Sequence, residues 1–160
     1  MQIKRGKAHI FPVEPLNNFS VTFQVSVSFT YGTGVQPIPL TSTEPAADAP
    51  AVASGWGTVN YGDSELPTQL QAVELLITDR VQCNAAYADY GGITVNMICT
   101  GVPGGGKSAR QGDSGGPLDV DGQLVGVVSW GLGWAEAQYR VVYSNIVNVK
   151  NCFTQESGVQ

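Results

Sequence analysis

The chain has 160 residues, a formal net charge of −5, 42% hydrophobic residues and only 13% charged residues. This length favours one globular domain with a core large enough to fold, and the acidic balance argues against a nucleic-acid partner. No apolar run approaches the ~20 residues of a membrane span, and no apolar segment of a secretory signal follows the basic N-terminus. The high glycine and proline content is typical of all-β folds with many turns.

The first predicted element is a strand over Val21–Phe29, where apolar and polar residues alternate along the whole stretch. The preceding residues Ala8–Leu16 show no clear period. Residues Tyr31–Pro50 are rich in proline, threonine and alanine, so we interpret them as an extended connector.

From residue 51 onward the pattern predicts strands separated by turns, with two helices. Asp79 is expected to cap the first helix, because its carboxylate can accept hydrogen bonds from the first backbone amides. The predicted strands are Ala51–Trp56, Gln69–Thr78, Ile93–Thr100, Gln123–Trp130 and Tyr139–Asn145, and the predicted helices are Arg80–Tyr87 and Val147–Thr154.

The segment Gly101–Ser108 matches the phosphate-binding pattern G-x-x-x-x-G-K-[ST]. A phosphate-binding loop of this kind must open a helix, and the glycines that follow Ser108 disfavour a helix start. No later strand ends in an aspartate that could bind a metal ion. The sequence therefore argues against nucleotide binding, and it indicates no cofactor and no metal.

The segment Gln111–Pro117 has the composition of an acyl-transfer site. Its glycines allow a tight turn and the close approach of another chain. Ser114 is the candidate nucleophile, and the amide groups of Gly112 and Ser114 are candidate donors to an oxyanion. The alternative interpretation is a glycine-rich loop between strands with no chemical role.

This segment and four others resemble the chymotrypsin/trypsin-like serine proteases, and most closely insect digestive enzymes. The resemblance covers nearly all of the chain from about Phe29 onward. It implies an all-β fold: an antiparallel six-stranded Greek-key barrel, as in the C-terminal half of these enzymes, with a leftover strand of the first barrel and a C-terminal helix. Residues 1–45 would be a remnant of the first barrel and the crossover between the two barrels, and residues 46–160 would be the C-terminal barrel. The other matching segments are Ser54–Gly57, Met97–Cys99, Val128–Gly131 and Val142–Asn145.

The resemblance also implies roles for the residues around Ser114. Asp113 would support the loop, as the family's carboxylate does when it pairs with a new N-terminal ammonium group. Nothing in this chain resembles the Ile-Val-Gly-Gly start. We therefore expect Asp113 to turn outward to water; the alternatives are that it takes up a proton or that it pairs with Arg110. The residues implied to hold the substrate are Ser108, Gln111, Ser129, Trp130, Gly131 and Gly133.

Several positions depart from the family pattern. Ser108 stands where trypsin-like members carry an aspartate, which implies a preference for apolar rather than basic substrate side chains. Arg110 and Trp134 stand where a pair of cysteines is usual, and Arg140 replaces a usual proline. The sequence leaves open whether these changes are functional.

The general base is not assigned by the resemblance. Asn18 is the residue nearest to the position of the family's catalytic aspartate. The single histidine, His9, lies much closer to Asn18 along the chain than the family's catalytic histidine lies to that aspartate. An amide cannot stabilise an imidazolium ion as a carboxylate does. Two functions therefore stay open: a serine-type endopeptidase acting through an acyl-enzyme on Ser114, or an inactive homologue or fragment that binds proteins or peptides.

The cysteines carry a further implication of the resemblance. Cys83 and Cys99 would form a disulfide between helix and strand, which would stabilise the fold by ~3 kcal/mol. The alternative is two buried thiols, as in reducing compartments. Cys152 would remain unpaired, although the family is normally secreted. A protein or peptide substrate is the implied partner, and the oligomeric state is left open.

Overall fold

The chain consists of two compact units in this computed structural model. They comprise Met1–Ile38 with Val149–Gln160, and Pro39–Asn148, and each is described by itself. The predicted boundary between residues 45 and 46 stays a prediction. The described residues are 8–13, 18–23, 27–59, 65–106, 108–109, 111–132 and 140–157.

The secondary structure is mostly β, with short helices. The strands are β1 (Ala8–Val13), β2 (Asn18–Phe23), β3 (Pro50–Gly55), β4 (Gln71–Thr78), β5 (Met97–Gly101), β6 (Pro117–Val120), β7 (Gln123–Gly131) and β8 (Val141–Asn145), and the helices are α1 (Arg80–Ala86), a 3₁₀ turn at Ala88–Tyr90 and α2 (Ile146–Ser157).

Strands β3 to β8 close into a barrel in the order β3-β4-β5-β8-β7-β6, and every pair is antiparallel. This confirms the predicted six-stranded antiparallel barrel. Alternate residues of each strand face the interior, as the two-residue period of a strand requires. The core comprises Ala51, Ala53, Leu75, Ile77, Ile98, Leu118, Val125, Val128 and Tyr143.

The predicted strand Val21–Phe29 is wrong in its bounds. The strand is β2, and it pairs with β1 so that Val13 lies opposite Asn18 and Ala8 opposite Phe23. Residues 27–30 are exposed and form no strand. Alternation shows which residues suit a strand, but the available partner decides where the strand ends, and the segment that became β1 carried no period. His9 lies on β1 opposite Thr22.

The barrel strands agree with the predicted bounds to within about two residues, except at β5 and β6. Strand β5 begins at Met97 rather than Ile93, because the Met97 amide closes a turn by donating to the Thr94 carbonyl at 3.1 Å. The short strand β6 was not predicted as an element. Helix α1 is capped as expected: Oδ1 of Asp79 accepts hydrogen bonds from the amides of the second and third helical residues.

The predicted disulfide is confirmed, since Cys83 on α1 is bonded to Cys99 on β5 with an S–S distance of 2.02 Å. Both cysteines are fully buried in a second apolar cluster beside the barrel core. The expectation that Cys152 is unpaired concerns a side chain outside the described part of the structure.

The end of the connector is fixed to the barrel. The Thr41 amide donates to the Leu124 carbonyl at 3.1 Å, and the Leu124 amide donates to the Pro39 carbonyl at 2.9 Å. Farther on, the Glu44 carboxylate pairs with Arg80 at 2.9 Å and accepts a hydrogen bond from the buried Asn145 amide at 2.8 Å. These bonds hold the connector across the base of α1 and the end of β8.

Candidate active site

The segment that carries Ser114 is a run of tight turns leading into β6. Gly112 and Gly115 have φ angles of 96° and 83°, a left-handed conformation that favours glycine. The turn is anchored on β7, because the Gly115 amide donates to the Val128 carbonyl at 2.9 Å. The Gly116 amide closes it by donating to the Asp113 carbonyl at 2.8 Å. Ser114 is thereby held exposed at the surface.

Two amide groups in this turn remain available for a ligand. The N–H groups of Gly115 and Gly116 are used inside the protein, whereas those of Gly112 and Ser114 form no hydrogen bond with a described residue. Backbone donors of this kind are what an oxyanion site requires. The Ser114 hydroxyl likewise forms no hydrogen bond within the described residues, so none of them acts as a base toward it there.

The Asp113 carboxylate points back into the protein. Its Oδ1 accepts a hydrogen bond from the Gly57 amide at 2.8 Å, and the residue is only half exposed. The expectation that Asp113 turns outward to water is therefore wrong. A Cβ on Gly57 would lie 2.5 Å from Cγ of Asp113, and a Cβ on Gly55 would lie 2.1 Å from its Oδ1. Glycine at both positions therefore leaves the space that the Asp113 carboxylate occupies. Arg110, the alternative partner expected for Asp113, lies outside the described residues.

The loop after β3 is fastened to the Ser114 turn at a second point. The Thr58 amide donates to the Gln111 carbonyl at 2.9 Å, next to the contact between Gly57 and Asp113. Gln111 itself is exposed. The resemblance of Ser54–Gly57 to the family did not indicate this supporting role. The two glycines spaced by one residue were the signal that could have revealed it.

A cavity of about 220 Å³ lies beside Asp113. Its wall includes Asp113, the half-buried Ser108, Gly55 and Gly57. Of the β7 residues, Val128 alone is part of this wall. The structure therefore brings Ser108 together with Asp113 at this cavity. Among the described residues, the predicted substrate-binding residues Gln111, Ser129, Trp130 and Gly131 do not line it.

The remaining predicted substrate-binding residues lie at the end of β7. Ser129 is exposed at an irregularity in the pairing of β7 with β8, between Val128 and Trp130, and such bulges redirect side chains near functional sites. Trp130 is half-buried and Gly131 is exposed. Gly133 and Trp134 lie outside the described residues.

Tyr87, which sequence reasoning did not single out, supports this end of β7. Its buried ring packs edge-on against Trp130, with centroids 4.8 Å apart. Its hydroxyl donates to the Arg140 carbonyl and accepts from the Leu132 amide at 3.4 Å. One side chain thus contacts both ends of the segment that joins β7 to β8, and burial raises the pKa of Tyr87. Nothing in the local sequence signals this role.

No group of three or more His, Cys, Asp or Glu side chains is placed to hold a metal ion within the described ranges. The glycine-rich loop after β5 has left-handed backbone angles at Gly104, Gly105 and Gly106, and it leads into turns. None of the helices of the described chain combines the length and the apolar character that a membrane crossing needs.

Comparison with protein families gives a match of residues 14–152 to the model described as Trypsin. The chain is 45% identical to Trypsin Blo t 3 of Blomia tropicalis over 136 residues, which are 82% of this chain and 51% of that protein. It is 43% identical to Trypsin delta of Drosophila melanogaster over 129 residues, 80% of this chain and 50% of that protein. The chain thus spans about half the length of the curated relatives it matches.

Comparison with solved structures gives a close match in fold. The structure described as neuropsin, a serine protease expressed in the limbic system of mouse brain, superimposes with a TM-score of 0.86 at 28% sequence identity. The match covers 97% of this chain and 71% of the neuropsin chain.

Proposed function

The chain belongs to the trypsin family of serine proteases, and from this premise we propose that it carries the nucleophile of a serine-type endopeptidase. Ser114 attacks the carbonyl carbon of the scissile peptide bond, and an acyl-enzyme forms as the amine leaves. The amides of Gly112 and Ser114 donate hydrogen bonds to the oxyanion. Protein or peptide is the substrate, and secretion is proposed from the family and from the disulfide between Cys83 and Cys99.

One observation carries the proposal. The Gly57 amide holds the Asp113 carboxylate inside the protein, and the two amides on either side of Asp113 are left without a partner among the described residues. This arrangement supports two donors directed at one ligand oxygen beside the exposed Ser114. We propose that the general base belongs to the part of a full-length relative that this chain does not match.

The substrate preference is proposed from Ser108. A hydroxyl cannot neutralise a cation in a slot of low dielectric constant, so an apolar side chain before the scissile bond is favoured over lysine or arginine. Gln111, Ser129, Trp130, Gly131 and Gly133 are proposed to position the substrate, with the backbone of β7 pairing with it as an added strand. The exposure of Ser129 and Gly131 at the end of β7 supports this.

A chimera tests the function. The part of Trypsin Blo t 3 that precedes its match would be joined to this chain, and hydrolysis of peptide p-nitroanilides ending in Phe or Arg would be measured. We expect hydrolysis that Ser114→Ala abolishes, and faster cleavage after Phe. A folded, soluble chimera without Ser114-dependent hydrolysis would contradict the proposed nucleophile. Faster cleavage after Arg would overturn the preference alone.

The second candidate function is a peptide-binding module without turnover. It is favoured by the single histidine of the chain, which lies on β1 opposite Thr22, and by the absence of a hydrogen bond from any described residue to the Ser114 hydroxyl. An acetylated tetrapeptide with a C-terminal Phe carboxylate would then bind wild-type and Ser114→Ala chains equally. An active chimera would exclude this candidate as the complete function.

A further inference from the structure

A row of outward-facing residues crosses the barrel wall beneath α1. Cys99 on β5 lies opposite Val142 on β8, and Val142 lies opposite Trp130 on β7. The residue before Cys99 and the residue after Val142 belong to the barrel core, so these two side chains face away from it. The row therefore runs from the disulfide at one end to a proposed substrate-binding residue at the other.

Helix α1 covers this row with two side chains. Cys83 and Tyr87 are four positions apart, and the Tyr87 amide donates to the Cys83 carbonyl at 3.3 Å, so both lie on one face of the helix. Both are fully buried in the same apolar cluster as Cys99 and Val142. Because Cys83 is bonded to Cys99, the middle of α1 is fixed on β5. The disulfide thereby fixes the position from which the Tyr87 side chain extends toward β7.

The Tyr87 side chain reaches the far end of the row. Its ring lies edge-on against Trp130, with 4.8 Å between the centroids. Its hydroxyl accepts a hydrogen bond from the Leu132 amide and donates one to the Arg140 carbonyl. Only one helical turn and one side chain therefore separate the disulfide from the end of β7.

We propose that the Cys83–Cys99 disulfide is a positioning element of the substrate-binding site, and that it acts through Tyr87. The bond holds α1 against β5, α1 holds the tyrosine hydroxyl at the end of β7, and the hydroxyl holds the backbone with which the substrate pairs. This inference rests on the proposed function, in which Trp130 and Gly131 position the substrate. The other role open to the disulfide is the general one, in which it only restricts the unfolded chain.

The two roles differ in what they imply for the tyrosine hydroxyl. If the disulfide only restricts the unfolded chain, the hydroxyl of Tyr87 protects the Leu132 amide equally well with and without the bond. If the disulfide positions Tyr87, the hydroxyl loses this effect when the bond is absent. Groups that depend on each other give non-additive effects, so a double-mutant cycle separates the two roles.

Hydrogen–deuterium exchange of the Leu132 amide, followed by NMR on the full chain, measures the cycle. Tyr87→Phe removes the hydroxyl and keeps the ring, and Cys83→Ala with Cys99→Ala removes the bond without burying new polar groups. With the disulfide present, Tyr87→Phe should speed the exchange about tenfold, the factor that corresponds to one lost hydrogen bond of this kind. Without the disulfide, the same change should speed it by less than about twofold.

Leu75→Ala is the matched control for lost stability. Leu75 is fully buried in the barrel core, in a different cluster from the residues under α1. Its truncation is expected to destabilise the chain about as much as the loss of the disulfide does. In this background Tyr87→Phe should keep its full effect on the Leu132 amide, because the disulfide is intact.

The chimera described above measures the consequence for the substrate. Removal of the disulfide should raise KM for the peptide p-nitroanilide about fivefold and change kcat by less than about twofold, because the end of β7 is displaced and the Ser114 turn is not. The Leu75→Ala chimera should keep the KM of the unsubstituted chimera.

Three results would overturn the inference. The first is an equal effect of Tyr87→Phe on the Leu132 amide with and without the disulfide. The second is the same loss of that effect in the Leu75→Ala chain, and the third is an unchanged KM in an active chimera without the disulfide. A chimera without Ser114-dependent hydrolysis would contradict the proposed function, and the exchange cycle, which needs no catalysis, would still decide the inference.

Discussion

The Gly57 amide donates a 2.8 Å hydrogen bond to Oδ1 of Asp113, a residue 56 positions later and adjacent to the candidate nucleophile. The contact ties the loop after β3 to the turn before β6. Since Thr58 and Gln111 form a backbone hydrogen bond at the same place, the conformation of the Ser114 turn depends on the loop that ends β3.

Gly57→Ala is expected to destabilise this junction. The added methyl group would overlap the Asp113 carboxylate, because the Cβ position lies 2.5 Å from its Cγ. We expect a loss of about 1–3 kcal/mol in the free energy of unfolding, measured by urea denaturation. Gly34→Ala is the matched control, since its Cβ would meet nothing within 4 Å and its φ angle is not positive. Equal losses in both variants would contradict the proposed overlap.

Tyr87→Phe tests the contact of Tyr87 with both ends of the segment after β7. The change removes the hydroxyl that the Leu132 amide and the Arg140 carbonyl share, while the ring and its packing against Trp130 remain. The loss of these two part-buried hydrogen bonds is expected to lower the free energy of unfolding by about 1–3 kcal/mol, which urea denaturation would detect. Tyr90→Phe, on the exposed 3₁₀ turn, should change stability by less than about 0.5 kcal/mol. A similar small change at Tyr87 would show that the hydroxyl is not structural.

Stability should fall at alkaline pH because of Tyr143. Burial raises the pKa of this tyrosine from 10.0 to about 12, and its hydroxyl accepts a hydrogen bond from Thr100 at 3.2 Å. Between these two pH values the folded state holds a proton that the unfolded state has released. The free energy of unfolding is therefore expected to decrease there by about 1.4 kcal/mol per pH unit.

The alkaline prediction is measured by urea denaturation from pH 9 to pH 12 on the wild-type and Tyr143→Phe chains. Phenylalanine has no proton to lose, so the variant should show a shallower decrease between pH 10 and pH 12. The pKa of Tyr87 is also raised, so Tyr87 lowers the free energy of unfolding at alkaline pH in both chains alike. Parallel pH profiles would be inconsistent with a raised pKa of Tyr143.

Reduction of the disulfide should destabilise the chain. Cys83 and Cys99 are separated by 16 positions, and opening a loop of this size is expected to cost about 3 kcal/mol. Thermal unfolding with and without dithiothreitol measures the loss. The double variant Cys83→Ser, Cys99→Ser should match the reduced wild type and should not respond to the reductant. If dithiothreitol still destabilised the double variant, the loss of stability would have to come from another cysteine.

The isolated chain should not react rapidly with a fluorophosphonate at Ser114. This reagent needs an activated hydroxyl, and the Ser114 hydroxyl forms no hydrogen bond with any residue in the described ranges. Mass spectrometry of the treated chain would show the unmodified mass, with an active trypsin labelled in parallel. Rapid modification that Ser114→Ala removes would mean that the chain itself supplies a base.

Local patterns were sufficient for most of the barrel strands and for the cap of α1, whereas the closed barrel and the disulfide were implied by the family resemblance. Alternation of apolar residues predicts strands from neighbouring positions alone, and an aspartate caps a helix through amides two and three residues away, as Asp79 does. The pairing of Cys83 with Cys99 was implied by the family resemblance and is present. The motif around Ser114 and its glycines likewise indicates a tight turn without reference to the rest of the chain.

Features that join distant segments could not be obtained in this way. The partner of β2, the direction of the Asp113 carboxylate and the contact of Tyr87 with Arg140 each depend on a residue far along the chain or on another strand. The register of three strands likewise decides that Glu74 and Asp119 lie on either side of Val52. A sequence pattern specifies which face a residue prefers, but only the packed barrel decides which residue lies opposite it.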